Sequence, residues 1–144
     1  PRSTRKESSA ASDVYKRQEY HGMKNKIKFF HKSLDSKFYQ KFDLIVSNPP
    51  YIKKCEIKNL KEDVRKFEPR IALDGGNDGL DLINKVIYKS KYILKVKGML
   101  ALEIGNEQFK KVSKILKKNS FKIEHIIKDC KDNIRGIIST HIGN

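Results

Sequence analysis

From residue 27 onward, apolar residues come in short runs of strand length, separated by polar or helical stretches. The run FDLIVS, Phe42–Ser47, is nearly continuous, which is typical of a parallel strand buried on both faces. Pro49 and Pro50 end it, because neither can donate to a ladder of strand hydrogen bonds. The predicted strands are Ile27–His31, Phe42–Ser47, Met99–Ile104, Phe121–Lys128 and Ile134–Ile142.

Helical spacing, with apolar residues every three or four positions, follows Asp78 and again follows Gly105. Asp78 is placed to cap the first helix, and Gly98 is expected to break it. The second helix is expected to open at Gly105-Asn106. The order of elements is then β, β, loop, α, β, α, β, β. This alternation predicts an α/β sheet with parallel crossovers, and the two final strands predict an antiparallel finish.

Residues 1–18 differ in kind from the rest of the chain. They are rich in Ser, Ala and Arg and show no sustained period of strand or helix. The stretch SSAASDVYKRQ also resembles translated adapter sequence, so residues 1–18 are predicted to be foreign to the fold. A genuine disordered tail is the alternative. The globular sequence is expected to begin at Glu19.

The chain is strongly basic, with 32 Lys plus Arg against 17 Asp plus Glu and a formal net charge of +15. An excess of this kind favours a partner rich in phosphate or carboxylate. Compositional bias is the alternative, because the excess is mostly lysine and is spread along the whole chain. Since a basic surface does not specify RNA, direct nucleic-acid binding is possible but not favoured.

Other side chains argue against several site classes. Cys55 and Cys130 lie in no CxxC pair, which argues against a disulfide framework and fits a reducing cytoplasm. The four histidines share no ligand spacing, so no metal site is predicted. No apolar run approaches the roughly 18 residues needed to cross a bilayer, so no membrane partner is predicted.

The candidate chemistry lies in Asn48-Pro49-Pro50-Tyr51, directly after the strand FDLIVS. In open α/β sheets ligands bind at the carboxyl ends of strands. An amide nitrogen is a poor nucleophile, so an enzyme that methylates it must hold its N–H groups with acceptors. Asn48 offers a side-chain oxygen and Pro49 a backbone carbonyl, on a backbone that the prolines restrict. Tyr51 offers a flat wall that could also attract a sulfonium cation. The alternative is a simple Pro-Pro strand terminator with an Asn-initiated turn.

Three further segments give this motif a family resemblance. FDLIVSNPPY resembles motif IV of methyltransferases that act on amino groups of planar substrates. The following DVRKFEPRIALDGGNDGLDLI, at Asp63–Ile83, resembles the pattern of the peptide chain release factor N(5)-glutamine methyltransferase family. LALEIG, at Leu100–Gly105, and DCKDNIRGIIST also match that family. The resemblance covers about residues 19–142, so residues 19–144 are expected to be the C-terminal part of a catalytic domain.

The resemblance implies a function and a set of roles. It implies transfer of a methyl group from S-adenosylmethionine to a glutamine in the GGQ loop of release factors. Asn48, Pro49, Pro50 and Tyr51 would be the catalytic and substrate-binding residues, with Asn48 also bordering the methyl donor. Ser33 and Leu34 occupy the positions expected to contact the adenine of the donor, where the family normally has an Asp and then an apolar residue.

The resemblance also implies an incomplete sheet. The expected fold class is α/β, a partial Rossmann-like sheet of the class I S-adenosylmethionine-dependent methyltransferases that lacks the first two strands. The glycine-rich cofactor turn would be missing with those strands, so the chain alone is expected to be inactive. Family strands 4, 5, 7 and 6 would form a contiguous half-sheet, with an exposed edge on strand 4 or with strand 3 docked there. Two rival functions remain: an adenine amino-group methyltransferase, and a non-catalytic nucleic-acid-binding remnant.

Overall fold

The computed structural model describes residues 16–23 and 26–143. These residues fall into two compact units, one ending at Ser33 and the other beginning at Leu34. In the first unit, residues 16–20 are helical, and the side-chain amide of Gln18 donates to the carbonyl oxygen of Ile27 at 2.8 Å. The predicted strand Ile27–His31 is wrong, because this segment has no regular secondary structure and lies outside the sheet. Without ladder partners, an apolar run alone does not make a strand.

The second unit is built on a four-stranded sheet. Its strands are β1 (Phe42–Ser47), β2 (Leu94–Glu103), β3 (Phe121–Lys128) and β4 (Ile134–His141). The order across the sheet is β1-β2-β4-β3, with β1 parallel to β2 and the other two pairs antiparallel. The half-sheet expected from the resemblance is therefore confirmed. Among the described residues only β2 pairs with β1, so the outer edge of β1 is open, as expected.

Three α-helices lie along the second unit: α1 (Glu62–Phe67), α2 (Asp81–Ile93) and α3 (Phe109–Lys118). Two short 3-10 helices, Ile57–Asn59 and Arg70–Ala72, flank α1 within the long loop after β1.

The predicted ends of the two longer helices need correction. Helix α2 stops at Ile93 instead of Gly98, because Leu94 already pairs with Phe42 of β1 and continues as strand β2. Asp78 is not the N-cap residue of α2, which is Leu80, although its carboxylate accepts the Leu80 N–H at 3.0 Å. Helix α3 begins at Phe109 and not at Gly105-Asn106.

The hydrophobic core lies between one face of the sheet and helices α2 and α3. The helical stripes predicted from the sequence supply much of it: Ile83, Ile87, Val112 and Leu116 are fully buried. Apolar residues from β2, β3 and β4 complete the layer. The buried core consists of Leu80, Ile83, Val86, Ile87, Leu94, Leu100, Leu102, Ile104, Val112, Leu116, Phe121 and Ile137.

The opposite face of the sheet is open in the part of the chain that the structure describes. Along β1, Ile45 packs against the core, whereas Leu44 and Val46 point the other way and are 49% and 73% exposed. On β2 the neighbouring Met99 is 42% exposed. The prediction that FDLIVS is buried on both faces is therefore wrong for the described residues. Continuous apolar sequence cannot reveal which of the two faces is covered.

Candidate active site at the carboxyl end of strand β1

The Asn48–Tyr51 motif follows the last residue of β1 directly. Ser47 still pairs with Leu102 of β2, so the sheet ladder fixes the chain immediately before the motif. Asn48 is exposed, Pro49 is buried, and Pro50 and Tyr51 are half-buried. The structure thus places the motif at the sheet edge predicted from the sequence, with its amide side chain toward solvent.

Two charged side chains hold the ring of Tyr51. Its hydroxyl group donates to the Glu103 carboxylate at 3.2 Å and accepts from the Arg135 guanidinium at 2.9 Å. The guanidinium carbon also lies 5.6 Å from the ring centroid, a cation–π distance. The ring packs against the hydrophobic core. Arg135 therefore already engages one face of the ring, leaving at most the other face for an external cation.

The sequence reasoning missed Glu103 and Arg135. They lie 52 and 84 residues from Tyr51, and only the β2–β4 pairing brings the strand ends that carry them together. A weak signal was available, because Glu103 is the one charged residue of the apolar run MLALEI, and Arg135 is the one Lys, Arg, Asp or Glu of the predicted strand Ile134–Ile142.

The long loop after the motif returns to it through backbone hydrogen bonds. The Ile52 N–H donates to the Leu73 carbonyl at 3.2 Å, and the Gly75 N–H donates to the Ile52 carbonyl at 2.8 Å. The Lys54 N–H donates to the Gly76 carbonyl at 2.8 Å. Residues 73–76, shortly before α2, therefore pair with the chain that follows Tyr51.

Gln108 is a further residue that the sequence reasoning missed. Its side chain is buried in the turn between β2 and α3. Its amide oxygen accepts the Gly105 N–H at 2.8 Å, and its amide nitrogen donates to the carbonyl oxygens of Tyr51 and Gly79 at 3.0 and 3.2 Å. A polar residue at the start of an amphipathic helix gives little warning of such a role.

A cavity of about 400 Å³ opens beside Asn48. Most of its lining side chains are apolar, and the polar groups include Asn48, Glu103 and Arg135. The remaining lining residues are Val46, Ser47, Ala101, Leu102, Ile127, Gly136 and Ile137. The exposed amide of the motif therefore borders a space large enough for a substrate side chain.

Ser33 and Leu34 are the residues expected to contact the adenine of the methyl donor. Leu34 packs against the core of the second unit, while Ser33 is an exposed residue of the first unit. Their expected role toward adenine stays a prediction.

The glycines near the motif are not a cofactor loop. A Cβ on Gly79 would lie 2.4 Å from the Tyr51 carbonyl oxygen, and one on Gly76 would lie 1.9 Å from the Asp81 carboxylate. The chain's own atoms thus fill the space that a glycine-rich loop leaves for a phosphate or nucleoside.

The described residues lack two other features, a metal-ligand cluster and a membrane-spanning helix. They hold no group of three or more His, Cys, Asp or Glu side chains arranged for a metal ion. None of the helices in residues 16–23 and 26–143 combines the length and apolar character that crossing a bilayer requires.

Known proteins resemble this chain over most of its length. The family described as Eco57I restriction-modification methylase matches residues 3–134. The release factor glutamine methyltransferase of Clostridium acetobutylicum is 49% identical over 82 residues, which is 57% of this chain and 29% of that protein. The enzyme of the same name from Fusobacterium nucleatum is 47% identical over 106 residues, 74% of this chain and 29% of that protein.

A solved structure with the same fold is the ribosomal protein L11 methylase of Lactobacillus delbrueckii subsp. bulgaricus. It aligns with a TM-score of 0.60 at 19% identity, covering 91% of this chain and 52% of that one. The predicted methylase fold is confirmed by this match, and the resemblance to glutamine methyltransferases is confirmed by the two sequence relatives. The chain spans 29% of the length of each of those relatives.

Proposed function

Because this chain belongs to the Eco57I restriction-modification methylase family, we propose that the protein is a methyltransferase that acts on the side-chain amide of a glutamine. The observation that carries the proposal is the motif itself. An exposed Asn48 and a buried Pro49 stand at the carboxyl end of β1, next to a Tyr51 ring that three contacts hold in place.

The motif residues suit the amide of a glutamine side chain. Its two N–H groups donate to the side-chain oxygen of Asn48 and to the backbone carbonyl of Pro49. Proline has no backbone N–H, so Pro49 offers the amide an acceptor and no donor. With both N–H groups held, the nitrogen lone pair has one fixed direction. Positioning of this kind removes much of the barrier to reaction between two partners.

S-adenosylmethionine, when bound, supplies the electrophilic methyl group. Transfer would replace the sulfur–carbon bond of that methyl group by a nitrogen–carbon bond, and the amide nitrogen held by Asn48 and Pro49 would lose one of its two protons to solvent. The ring of Tyr51 forms a flat wall beside the planar amide. Since Arg135 already lies over one face of that ring, the motif's main task is to hold the amide and not to attract the sulfonium.

The substrate we propose is the GGQ-loop glutamine of a peptide chain release factor, in the cytoplasm where translation takes place. Two relatives named release factor glutamine methyltransferase support this choice. We also propose that this chain alone binds S-adenosylmethionine weakly or not at all, since its described residues offer only one edge of the site. Micromolar affinity of the chain by calorimetry would contradict that second proposal.

An adenine amino group is the second candidate substrate. The name of the matched family, restriction-modification methylase, and the net charge of +15 favour a nucleic acid. An exocyclic amino group on a planar ring would present N–H donors to Asn48 and Pro49 in the same way. The relatives' names and the segment after the motif favour glutamine instead.

The two candidates are separated by methyl transfer from labelled S-adenosylmethionine. The protein is extended upstream to the length of its relatives and is offered three substrates in parallel. These are a release factor, the same factor with its GGQ glutamine replaced by glutamate, and an adenine-containing DNA duplex. Label on the first substrate only is the expected result. Label on the duplex alone would mean that the motif binds an adenine amino group and not a glutamine amide. Label on none of the three would contradict both candidates.

A further inference from the structure

We propose that Gln108 is a positioning residue that locks the Asn48–Tyr51 motif in place by tying three loops together. The inference rests on the proposed function and concerns how the motif keeps its geometry. One side chain bonds to the backbone of Tyr51 in the first loop, Gly79 in the second and Gly105 in the third.

The three bonds use both ends of the Gln108 amide. Its oxygen accepts one N–H, and its nitrogen donates both of its hydrogens to carbonyl oxygens. The residue is only 9% exposed, so a lost partner would leave a polar group unsatisfied away from water. A glutamate of the same shape could keep the bond from Gly105 but could not donate to the other two loops.

The glycines around Gln108 show how closely the loops approach. A Cβ on Gly79 would lie 2.8 Å from the Gln108 amide nitrogen, and a Cβ on Gly105 would lie 2.9 Å from its amide oxygen. A Cβ on Gly75 would lie 2.8 Å from the Tyr51 Cα. Real side chains essentially never approach this closely, so the three glycines leave the room that Gln108 and Tyr51 occupy.

The Asn48–Tyr51 motif is therefore held at both of its ends. The sheet ladder holds the end before Asn48, where Ser47 pairs with Leu102. Gln108 holds the other end through the Tyr51 carbonyl. The acceptors of Asn48 and Pro49 lie between these two anchors. Gln108 itself contacts neither substrate nor reacting atoms in this arrangement, so its effect passes through the backbone.

Three variants test this role. Gln108→Glu removes the two donations and keeps the acceptor for Gly105, while Gln108→Leu removes all three bonds. Val112→Ala is the matched control, because it weakens the buried side of the same helix α3 and keeps all three bonds of the Gln108 side chain. Each is measured in two ways: amide hydrogen exchange in this chain, and steady-state methyl transfer in the upstream-extended protein.

The exchange measurement follows the Gly105 amide. Its exchange is expected to be at least about tenfold faster in Gln108→Leu than in Val112→Ala, and to stay near the wild-type rate in Gln108→Glu. Equal exchange of this amide in all four proteins would overturn the inference. This measurement does not depend on enzymatic activity. If the wild type transferred no methyl group, that result would contradict only the proposed function.

The kinetic measurement separates positioning from general destabilisation. Misplacement of acceptors by about 1 Å costs on the order of 10²-fold in rate, so kcat of Gln108→Glu is expected to fall toward that extent while KM changes less than about threefold. Val112→Ala is expected to keep kcat near wild type at a temperature where it is folded. A Gln108→Glu variant with wild-type kcat, or with a loss matched by Val112→Ala, would overturn the inference.

Discussion

Among the described residues, helices cover one face of the sheet and leave the other open, although both faces are formed by the same strands. Leu100 is fully buried under helices α2 and α3, whereas its neighbour Met99 points to the open face and is 42% exposed. On the edge strand, Ile45 packs against the core and Val46 is 73% exposed. Apolar side chains lie on both sides, and the layer of helices covers only one of them among the described residues.

The candidate active site draws on both faces. Tyr51 is anchored on the covered side, in contact with the core and with Gln108, and Pro49 is buried. Asn48 instead lines the cavity beside Val46 and Glu103 on the open side. The covered face therefore supplies the rigidity of the motif, and the open face supplies access to its amide.

The largest difference between the two faces is expected from a matched pair of truncations on adjacent residues of β2. Leu100→Ala is expected to lower the free energy of unfolding by about 2–5 kcal/mol, since it removes buried methyl groups and leaves a cavity. Met99→Ala is expected to cost less than about 1 kcal/mol, because its side chain already meets solvent. Urea denaturation measures both, and equal losses would show that the open face is covered in solution.

A smaller effect is expected where the motif meets the covered face. Tyr51→Phe removes the hydroxyl that bonds to Glu103 and Arg135 and is expected to cost about 1 kcal/mol of unfolding free energy. Tyr92→Phe is the control, because the exposed Tyr92 donates its hydroxyl hydrogen to the hydroxyl of the exposed Tyr88 at 3.3 Å. A loss for Tyr51→Phe no larger than that of Tyr92→Phe would argue against a fixed ring.

The turn between β3 and β4 provides a reference that belongs to neither face. The backbone N–H of Asn133 donates to the Asp129 carboxylate at 3.0 Å and, with further bonds from Lys131 and Asn133, holds the pKa of Asp129 below its usual value. A carboxyl with a lowered folded-state pKa stabilises the fold above its unfolded pKa. That stabilisation is lost as the pH falls through the folded-state pKa.

Asp129→Asn tests this turn. The variant is expected to melt below the wild type at neutral pH, and the gap is expected to close as the pH falls below about 4, near the unfolded pKa of aspartate. Melting curves across that range measure the gap. A difference in melting temperature that is independent of pH would contradict an ionised Asp129 in the folded turn.

The smallest effect is expected on the open edge. Val46→Lys places a charge on an exposed position of β1 and is expected to change the free energy of unfolding by less than about 0.5 kcal/mol. Lysine on an exposed edge discourages pairing with another chain, so self-association is expected to fall. Light scattering of the variant and the wild type at equal concentration checks this. Strong destabilisation would mean that Val46 is not solvent-exposed.

Local pattern was enough for much of this fold. Short apolar runs located β1, β3 and β4, and helical spacing located the buried sides of α2 and α3, because strand length and helical period follow from backbone geometry. The Asn48–Tyr51 motif could also be placed, since the prolines mark the end of a strand whose sequence is unmistakably apolar. The family resemblance supplied the strand order, which local pattern alone does not determine.

Other features depended on tertiary contacts. The partners of Tyr51, namely Glu103, Gln108 and Arg135, are more than fifty residues away and meet it only after the sheet is assembled. Ile27–His31 has strand-like sequence but lies outside the sheet. The residues after Ile93 continue the helical spacing, yet pairing with β1 draws them into β2. Competition between local period and strand pairing cannot be resolved from spacing alone.

The central claim is that Asn48 and Pro49 hold a glutamine amide for methylation. Its most direct test is mass-spectrometric mapping of a release factor after incubation with S-adenosylmethionine and the upstream-extended protein, either wild type or Asn48→Ala. We predict one added methyl group on the GGQ glutamine with the wild type and almost none with Asn48→Ala, although the variant stays folded. Methylation of that glutamine by Asn48→Ala at the wild-type rate would contradict the account.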